Sequence, residues 1–225
     1  MHATLLAYRE QDMTIDLELG MQPPSRKLYP LSSDELELLK EYQYEILKNS
    51  IICTSKSSVN TPILFAKQAN SNLHIVVAYH GLHVIKVKHK YHQPNMTTLI
   101  EQLGLSQIFS KLDLKLGYNL VRIAKGDKWK IVYKTPYGLN EYAVMIFGLT
   151  NAPFVFQLYL NNILRKKIDL CVVILIDDVL IYSKTEEEYI ELVRWVLQKL
   201  TENNLCINID KYLFVSEGQV SRGVL

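Results

Sequence analysis

The chain has 225 residues, of which 48% are hydrophobic and 21% are charged, and its formal net charge is +2. This is the composition of a soluble globular protein with room for one large domain or two small ones. No apolar run approaches the length of a membrane span, and the N-terminus lacks the pattern of a signal peptide, so no membrane partner is expected.

The cysteines bear on the cellular setting of the protein, and the distribution of charge bears on phosphate binding. Cys53, Cys171 and Cys206 show neither metal-ligand nor disulfide-framework spacing, which favours a reducing, intracellular setting in the cytoplasm or nucleus. Residues 84–134 hold ten Lys or Arg against three acidic residues. A basic zone of this kind can bind phosphate groups, although most charge runs are simply solvated faces.

The N-terminal half begins with an extended arm at residues 1–29, which has little periodicity and carries Pro23 and Pro24. A helix should begin at Ser32, because Ser32 and Glu35 match a capping box. Its predicted apolar stripe consists of Leu36, Leu39, Tyr42, Ile46 and Leu47. The other elements expected in this half are strands at about 62–67 and 73–78 and a short helix at about 96–103.

The C-terminal half alternates strands and helices. The clearest helix spans 186–203, where apolar residues recur at three- and four-residue intervals after three glutamates. The other predicted elements are a strand at 108–112, a helical turn over Tyr118, strands at 130–134 and 141–146 around a turn at 136–138, a helix at 150–165, a hairpin at 171–183 and short strands near 205–208 and 212–215.

The hairpin carries the adjacent carboxylates of Asp177 and Asp178 at its tip, between two runs rich in Val and Ile. Neighbouring like charges repel unless a cation lies between them. Taken alone, the pair is most simply a polar turn, and Asp113 is most simply a cap or turn residue at a strand end. Together, Asp113 and Asp177 would supply the hard oxygen ligands that suit Mg²⁺.

Four segments in order resemble the reverse transcriptase of gypsy-type LTR retrotransposons. They are Phe-Ser-Lys-Leu-Asp-Leu at 109–114, Phe-Gly-Leu-Thr-Asn-Ala-Pro at 147–153, Phe156-Gln157, and the Asp177-Asp178 pair. The likeness runs from about Met13 to Leu225. It implies an α+β fold, the fingers and palm of a right-hand polymerase with an antiparallel palm sheet backed by helices and with the thumb absent.

The resemblance also implies domain limits and an activity. The reverse transcriptase domain would span 30–218, with fingers at about 30–105 and 118–150, a palm at about 106–117 and 151–218, and a truncated primer-grip segment at 219–225. The implied activity is RNA-directed DNA polymerisation within a retrotransposon polyprotein. The implied partners are an RNA or DNA template with its primer, dNTP, and the thumb and RNase H segments of the larger polyprotein.

The resemblance further implies a set of site residues. Asp113, Asp177 and the main-chain carbonyl of Leu114 would bind two Mg²⁺ ions, or Mn²⁺, with Asp178 in support, so the carboxylates of Asp113 and Asp177 should lie within roughly 4–6 Å. Tyr118 would select dNTP over rNTP by excluding the ribose 2′-hydroxyl. The remaining implied nucleotide-binding residues are Lys67, Leu116, Gly117, Phe147 and Gly148.

Departures from the family pattern keep a second hypothesis open. Leu175 stands where the family has Tyr, and His74 replaces an Arg that would hold the triphosphate with a bidentate fork. Ser221 and Arg222 replace apolar residues of the primer grip. The alternative is therefore a decayed, truncated remnant that at most binds nucleic acid, and we expect this chain by itself to polymerise weakly or not at all. An RNA-templated RNA polymerase is disfavoured by Tyr118.

Overall fold

The computed structural model describes residues 8–9, 11–67, 73–89, 106–115, 117–168, 170–216 and 219–222. The chain divides into two compact units, which we call the first unit (Met1–Lys88 with Tyr118–Ala152) and the second unit (His89–Gly117 with Pro153–Leu225). The helix expected at 96–103 lies outside the described residues.

The described elements alternate between strands and helices, as an α+β fold requires. In chain order they are α1 (Ser33–Lys48), β1 (Ile52–Thr54), β2 (Thr61–Lys67), β3 (Leu73–Val77), α2 (His80–Ile85), β4 (Ile108–Lys115), β5 (Tyr133–Thr135), β6 (Gly138–Tyr142), α3 (Ala152–Leu164), β7 (Val172–Leu175), β8 (Asp178–Ser183), α4 (Glu186–Glu202), β9 (Cys206–Ile207), β10 (Leu213–Ser216) and β11 (Gln219–Arg222). Short 3₁₀ helices occupy Gly117–Leu120, Lys128–Ile131 and Ile209–Lys211.

The first unit is built on a five-stranded sheet in the order β1-β6-β5-β2-β3. Strands β2 and β5 are parallel, and the other neighbours are antiparallel. Its core includes Ile63, Ile131 and Met145, all at most 1% exposed. Met13 and Ile15, from the predicted N-terminal arm, are also fully buried, and Met13 forms a parallel bridge with Ile123. Burial of these side chains ties residues near the N-terminus to this sheet.

Helix α1 begins where the sequence predicts, with both hydrogen bonds of the Ser32–Glu35 capping box present. The predicted apolar stripe needs one correction, because Leu47 is 43% exposed whereas Gln43 is 7% exposed. The Gln43 amide donates to the Thr135 hydroxyl at 3.3 Å, which offsets the cost of burying a polar group.

Two strands expected in the first unit are wrong in position, and one short helix was not predicted. The segment expected as a strand at 130–134 begins as the 3₁₀ helix Lys128–Ile131, because Lys130 binds Asp127 one turn earlier and donates to the Ile15 carbonyl at 2.7 Å. The strand expected at 141–146 lies at Gly138–Tyr142. Helix α2 was not predicted, since it is six residues long and its N-terminus has no side-chain cap.

The second unit is built on a six-stranded sheet. Five strands follow the order β11-β10-β4-β8-β7, and β9 pairs with the far end of β4. All of these pairs are antiparallel, which agrees with the palm sheet that the resemblance implies. Strand β4 is longer than expected and continues through Asp113 to Lys115. Asp113 therefore lies within a paired strand.

Helices α3 and α4 belong to the second unit and agree with their predicted positions within two residues. Helix α4 buries five of the six residues of the predicted apolar stripe, Tyr189, Leu192, Val193, Val196 and Leu200, whereas the sixth, Leu197, is half-buried. Its N-cap is Thr185, whose hydroxyl accepts from the Glu188 amide at 3.4 Å. Among the described residues, no helix combines the length and apolar character needed to cross a membrane.

Candidate active site

The two strands β7 and β8 form the predicted hairpin, but its turn lies one residue earlier than expected. Leu175 and Asp178 are the closing pair, so Ile176 and Asp177 form the two-residue loop. Ile176 has a φ of 62°, a left-handed conformation that is uncommon for a β-branched side chain. Val172, Val173 and Ile174 are each at most 3% exposed, which anchors the hairpin in the sheet.

Strand register brings the third carboxylate to this hairpin. Asp113 on β4 is the direct partner of Asp178 on β8, and Asp177 precedes Asp178 in the turn. Side chains directly opposite each other project from the same face of an antiparallel pair. The structure therefore brings Asp113 and Asp178 together on adjacent strands, and Asp177 is the residue before Asp178 in the turn.

Two lysines neutralise the opposed carboxylates. The Lys111 ammonium lies 2.6 Å from Asp178 Oδ2, and the Lys211 ammonium lies 3.2 Å from Asp113 Oδ2. The side chains of Asp113 and Asp178 are 23% and 28% exposed, so solvent reaches both. The site residues predicted from the sequence do not include these lysines. Lys111 lies two residues before Asp113, so the strand period alone places both on one face and could have indicated this lysine. No local pattern connects Lys211 to Asp113.

Two hydrogen bonds, one of them buried, hold the backbone around the carboxylates. The Gln157 amide of α3 donates to the Ile174 carbonyl of β7 at 2.9 Å, and both residues are buried. The Asn208 amide donates to the Asp113 carbonyl at 2.8 Å. These contacts give Gln157, part of the Phe-Gln pair noted in the sequence, a supporting role behind the hairpin.

The donor chemistry of this cluster fits a divalent cation. Carboxylate oxygens are the hard ligands that Mg²⁺ and Mn²⁺ take, and two of the three carboxylates already attract a cationic ammonium. Within the described residues, no group of three or more His, Cys, Asp or Glu side chains is arranged to hold a metal ion. A metal here would therefore need a ligand of another kind, such as a main-chain carbonyl.

Of the three predicted site residues between Asp113 and Tyr118, the structure describes two, Leu114 and Gly117. The Leu114 side chain is 7% exposed and packs in the core. Leu116 lies outside the described residues. Gly117 has a packing role that the sequence did not indicate, because a Cβ there would lie 2.3 Å from Cζ of Phe156. The glycine thus allows the fully buried Phe156 ring to approach the backbone.

The first unit contains the predicted aromatic residues. Tyr118 is 5% exposed, and its ring centroid lies 4.4 Å from that of Phe147, with the planes tilted by 41°. Phe147 is 65% exposed, so one ring is held in the unit and the other faces solvent. Gly148 follows with a φ of 94°, a conformation that favours glycine.

Lys67 and His74 lie on the β2–β3 hairpin of the first unit, where the register places their side chains on opposite faces. Lys67 is exposed at the end of β2, and its neighbour Ala66 is paired with His74 on β3. Both side chains are exposed, as residues that contact a solvent-borne ligand would be.

The chain is similar to known proteins in both sequence and fold. A family model described as reverse transcriptase (RNA-dependent DNA polymerase) matches residues 58–221. The Tf2-3 and Tf2-7 transposon polyproteins of Schizosaccharomyces pombe are 38% and 37% identical over 186 residues, which is 83% of this chain. The chain spans 14% of the length of each of those polyproteins.

Two similar solved structures are of the foamy viral protease-reverse transcriptase. The complex with an RNA/DNA hybrid has a TM-score of 0.77 at 14% identity, over 93% of this chain and 30% of that one. The complex with double-stranded DNA has a TM-score of 0.75 at 16% identity, over 94% and 43%. At such identity the likeness establishes the fold.

The fold comparison confirms the α+β architecture of fingers and palm. The similarity to Tf2 polyproteins agrees with a retrotransposon relationship. Reverse transcriptases as a family use divalent metals, which agrees with a cluster of carboxylates. Because the family model covers most of the chain, this protein belongs to the reverse transcriptase (RNA-dependent DNA polymerase) family.

Proposed function

We propose that the second unit is the palm of an RNA-directed DNA polymerase, that the first unit supplies its fingers, and that Asp113, Asp177 and Asp178 form the site of nucleotidyl transfer. The single observation that carries the proposal is the register that pairs Asp113 with Asp178 beside Asp177. Nucleotidyl transfer builds negative charge on the attacking and leaving oxygens, so it requires a site where cations are concentrated.

The residues divide into ligands and supports. Asp113, Asp177 and the carbonyl of Leu114 would hold two Mg²⁺ ions, or Mn²⁺, and Asp178 would position its neighbours. When bound, the two ions would stabilise charge on both reacting oxygens. The chain itself orients these ligands, because β4 and β8 are paired from Ile108 to Asp113 and the hairpin is fixed by Gln157.

The residues proposed to hold the nucleotide are those that the resemblance implies. Exposed Lys67 suits a phosphate as a flexible point charge, and main-chain N–H groups at Leu116 and Gly117 are the proposed triphosphate contacts. Tyr118 would exclude a ribose 2′-hydroxyl, with Phe147 and Gly148 completing the pocket. Support comes from the packing of Tyr118 on Phe147, which restrains the tyrosine ring.

Substituting Tyr118 tests the assignment of the aromatic pair. Tyr118→Ala should admit rNTPs while retaining dNTP incorporation, because the ring that blocks the 2′-hydroxyl is removed. The measurement is the ratio of rNTP to dNTP incorporation, with Tyr137→Ala as the control for loss of an exposed tyrosine. Unchanged discrimination in the Tyr118 variant would show that the ring serves only in packing.

The proposed partners are a primer–template of RNA or DNA and dNTP. Support comes from the foamy viral protein, which was solved with an RNA/DNA hybrid and with double-stranded DNA. Residues 84–134, rich in Lys and Arg, add positive charge of the kind that binds phosphate.

Primer extension with dNTPs and Mg²⁺, by the purified chain supplied with a family thumb segment, tests the function, because the chain by itself is expected to extend primers weakly or not at all. Extension that is lost in Asp113→Asn and retained in Asp34→Asn, an exposed aspartate of α1, is the expected result. A chain that binds primer–template but extends nothing, even with Mn²⁺ and a supplied thumb segment, would favour the non-catalytic alternative. Extension that survives in Asp113→Asn would refute the assigned site.

A further inference from the structure

The opposed pair Asp113–Asp178 creates an electrostatic problem within the sheet. Like charges directly opposite each other on adjacent strands destabilise the pairing. The problem is largest when no metal is bound, because a divalent cation would otherwise screen the two carboxylates. The cations that the chain itself supplies at this point are Lys111 and Lys211.

The two lysines reach the carboxylates from different elements. Lys111 lies on β4 and pairs with Leu180 in the backbone register, yet its ammonium crosses diagonally to Asp178. Lys211 ends the 3₁₀ helix Ile209–Lys211 and contacts Asp113. Each opposed carboxylate therefore has its own ammonium, and the described residues give Asp177 no ion pair.

Both ammonium groups are free to move away. The side chain of Lys111 is 42% exposed, and that of Lys211 is 65% exposed. Long lysine side chains at such exposure rotate into water at little cost, and their ion pairs with carboxylates are weak. A divalent cation that enters the cluster meets these positive charges at contact distance and is repelled by them.

We propose that Lys111 and Lys211 are displaceable counter-ions, positioning residues that hold Asp113 and Asp178 in register without metal and are expelled when a divalent cation binds. This inference rests on the proposed function, in which Asp113 is a metal ligand and Asp178 supports the site. Two consequences follow. The metal-free sheet gains stability from the lysines, and the affinity for the first cation is lowered by them.

Direct metal binding by the full chain tests the inference. Mn²⁺ titration followed by electron paramagnetic resonance should show roughly three- to tenfold tighter binding for Lys111→Met and for Lys211→Met than for the wild type. Lys199→Met is the matched control, because it removes an ion pair of the same 2.6 Å length on helix α4. Lys111→Arg keeps the positive charge and should bind Mn²⁺ as the wild type does.

Thermal unfolding gives a readout that does not depend on activity. Without divalent cations, Lys111→Met and Lys211→Met should unfold at lower temperature than Lys199→Met, and saturating Mn²⁺ should remove that difference. Lys211 is mostly exposed, so its variant decides the question if Lys111→Met fails to fold.

The outcomes separate this inference from the proposed function. If the wild type binds Mn²⁺, Asp113→Asn abolishes that binding, and the lysine variants bind no tighter than Lys199→Met, the counter-ion inference is wrong while the proposed site stands. If no variant binds Mn²⁺ and Asp113→Asn changes nothing, the proposed site and the inference both fail.

Discussion

Two hairpins of the chain have two-residue loops but differ in the type of residue that adopts a positive φ. In the first unit, β5 and β6 are joined by Pro136 and Tyr137, and the left-handed φ of 134° falls on Gly138. In the second unit, β7 and β8 are joined by Ile176 and Asp177, and the left-handed φ of 62° falls on Ile176. Glycine adopts positive φ without steric cost, whereas a β-branched residue does not. The strain lies in the hairpin that carries the carboxylates.

The two units also differ in the exposure and pairing of particular lysine side chains. Lys111 and Lys211 of the second unit are solvent-exposed and paired with carboxylates. Lys86 of the first unit is 1% exposed, and its ammonium has no hydrogen-bond partner among the described residues. Burial lowers the pKa of Lys86 to about 8, although Asp16 and Asp127 partly oppose that shift. The comparison places a stability cost in the first unit and a proposed functional use of charge in the second.

The carboxylate hairpin should be the more sensitive of the two to substitution. Asp177→Asn should lower primer extension by about 10³-fold or more, because a proposed ligand loses its charge. Asp178→Asn should lower it by roughly 10- to 100-fold, as expected for a supporting residue. Tyr137→Ala in the other hairpin should leave the rate close to that of wild type. Equal losses in both Asp variants would contradict the division into ligand and support.

Replacing the buried lysine should stabilise the first unit. Lys86→Met should raise the free energy of unfolding at pH 7 by as much as about 3 kcal/mol, since the unfolded pKa of 10.5 falls to about 8 in the folded state. The unfolded chain binds more protons between these values, so wild-type stability rises from pH 8 to pH 10.5. The advantage of the variant should shrink over that interval.

Urea unfolding at pH 7, 9 and 10.5 measures this pH dependence. Exposed Lys125→Met is the control and should show no such change. A destabilised Lys86→Met variant at pH 7 would show instead that the ammonium finds a favourable partner.

The sequence predicts those features that are set by local patterns. The capping box of Ser32 and Glu35 and the stripe of α4 depend on residues three or four apart, and both are confirmed. The hairpin tip was misplaced by one residue because Asp177 and Asp178 are equally acceptable in a turn, and only pairing of Leu175 with Asp178 decides between them. Local polarity alone does not set strand register.

Features that depend on tertiary contacts were missed. The 3₁₀ helix Lys128–Ile131 depends on the contact of Lys130 with Ile15, far away in the sequence. The ion pair of Lys211 with Asp113 likewise joins distant segments. The motif order predicted the family and the grouping of the carboxylates by resemblance, but nothing local indicated which cations accompany them.

Replacing Gly138 in the β5–β6 hairpin should introduce backbone strain there. Gly138→Ala has open space for its Cβ, so the expected loss of stability, about 2 kcal/mol, comes from the backbone conformation alone. Urea unfolding measures the loss, and Gly81→Ala is an unsuitable control because its Cβ would meet Pro24 at 2.6 Å. Gly20→Ala, also at positive φ with open space, should lose a similar amount. Unchanged stability in both variants would remove the basis of the comparison between the hairpins.

The reciprocal substitution should separate stability from activity. In Ile176→Gly the left-handed strain of roughly 1–2 kcal/mol is relieved, but the unfolded chain gains flexibility that offsets about 0.4–1 kcal/mol. Ile176 is 38% exposed, so the burial of the rest of its apolar surface is also lost, which keeps the net gain below about 1 kcal/mol. Extension should nevertheless fall, because a looser turn displaces Asp177, and a misplacement of about 1 Å can lower the rate roughly 10²-fold.

Ser50→Gly is the matched control, since Ser50 also has a left-handed φ, 56°, after the end of α1 in the first unit. It should gain comparable stability without loss of extension. If Ile176→Gly gains stability and extends primers as fast as wild type, the strain in the second hairpin serves no catalytic purpose.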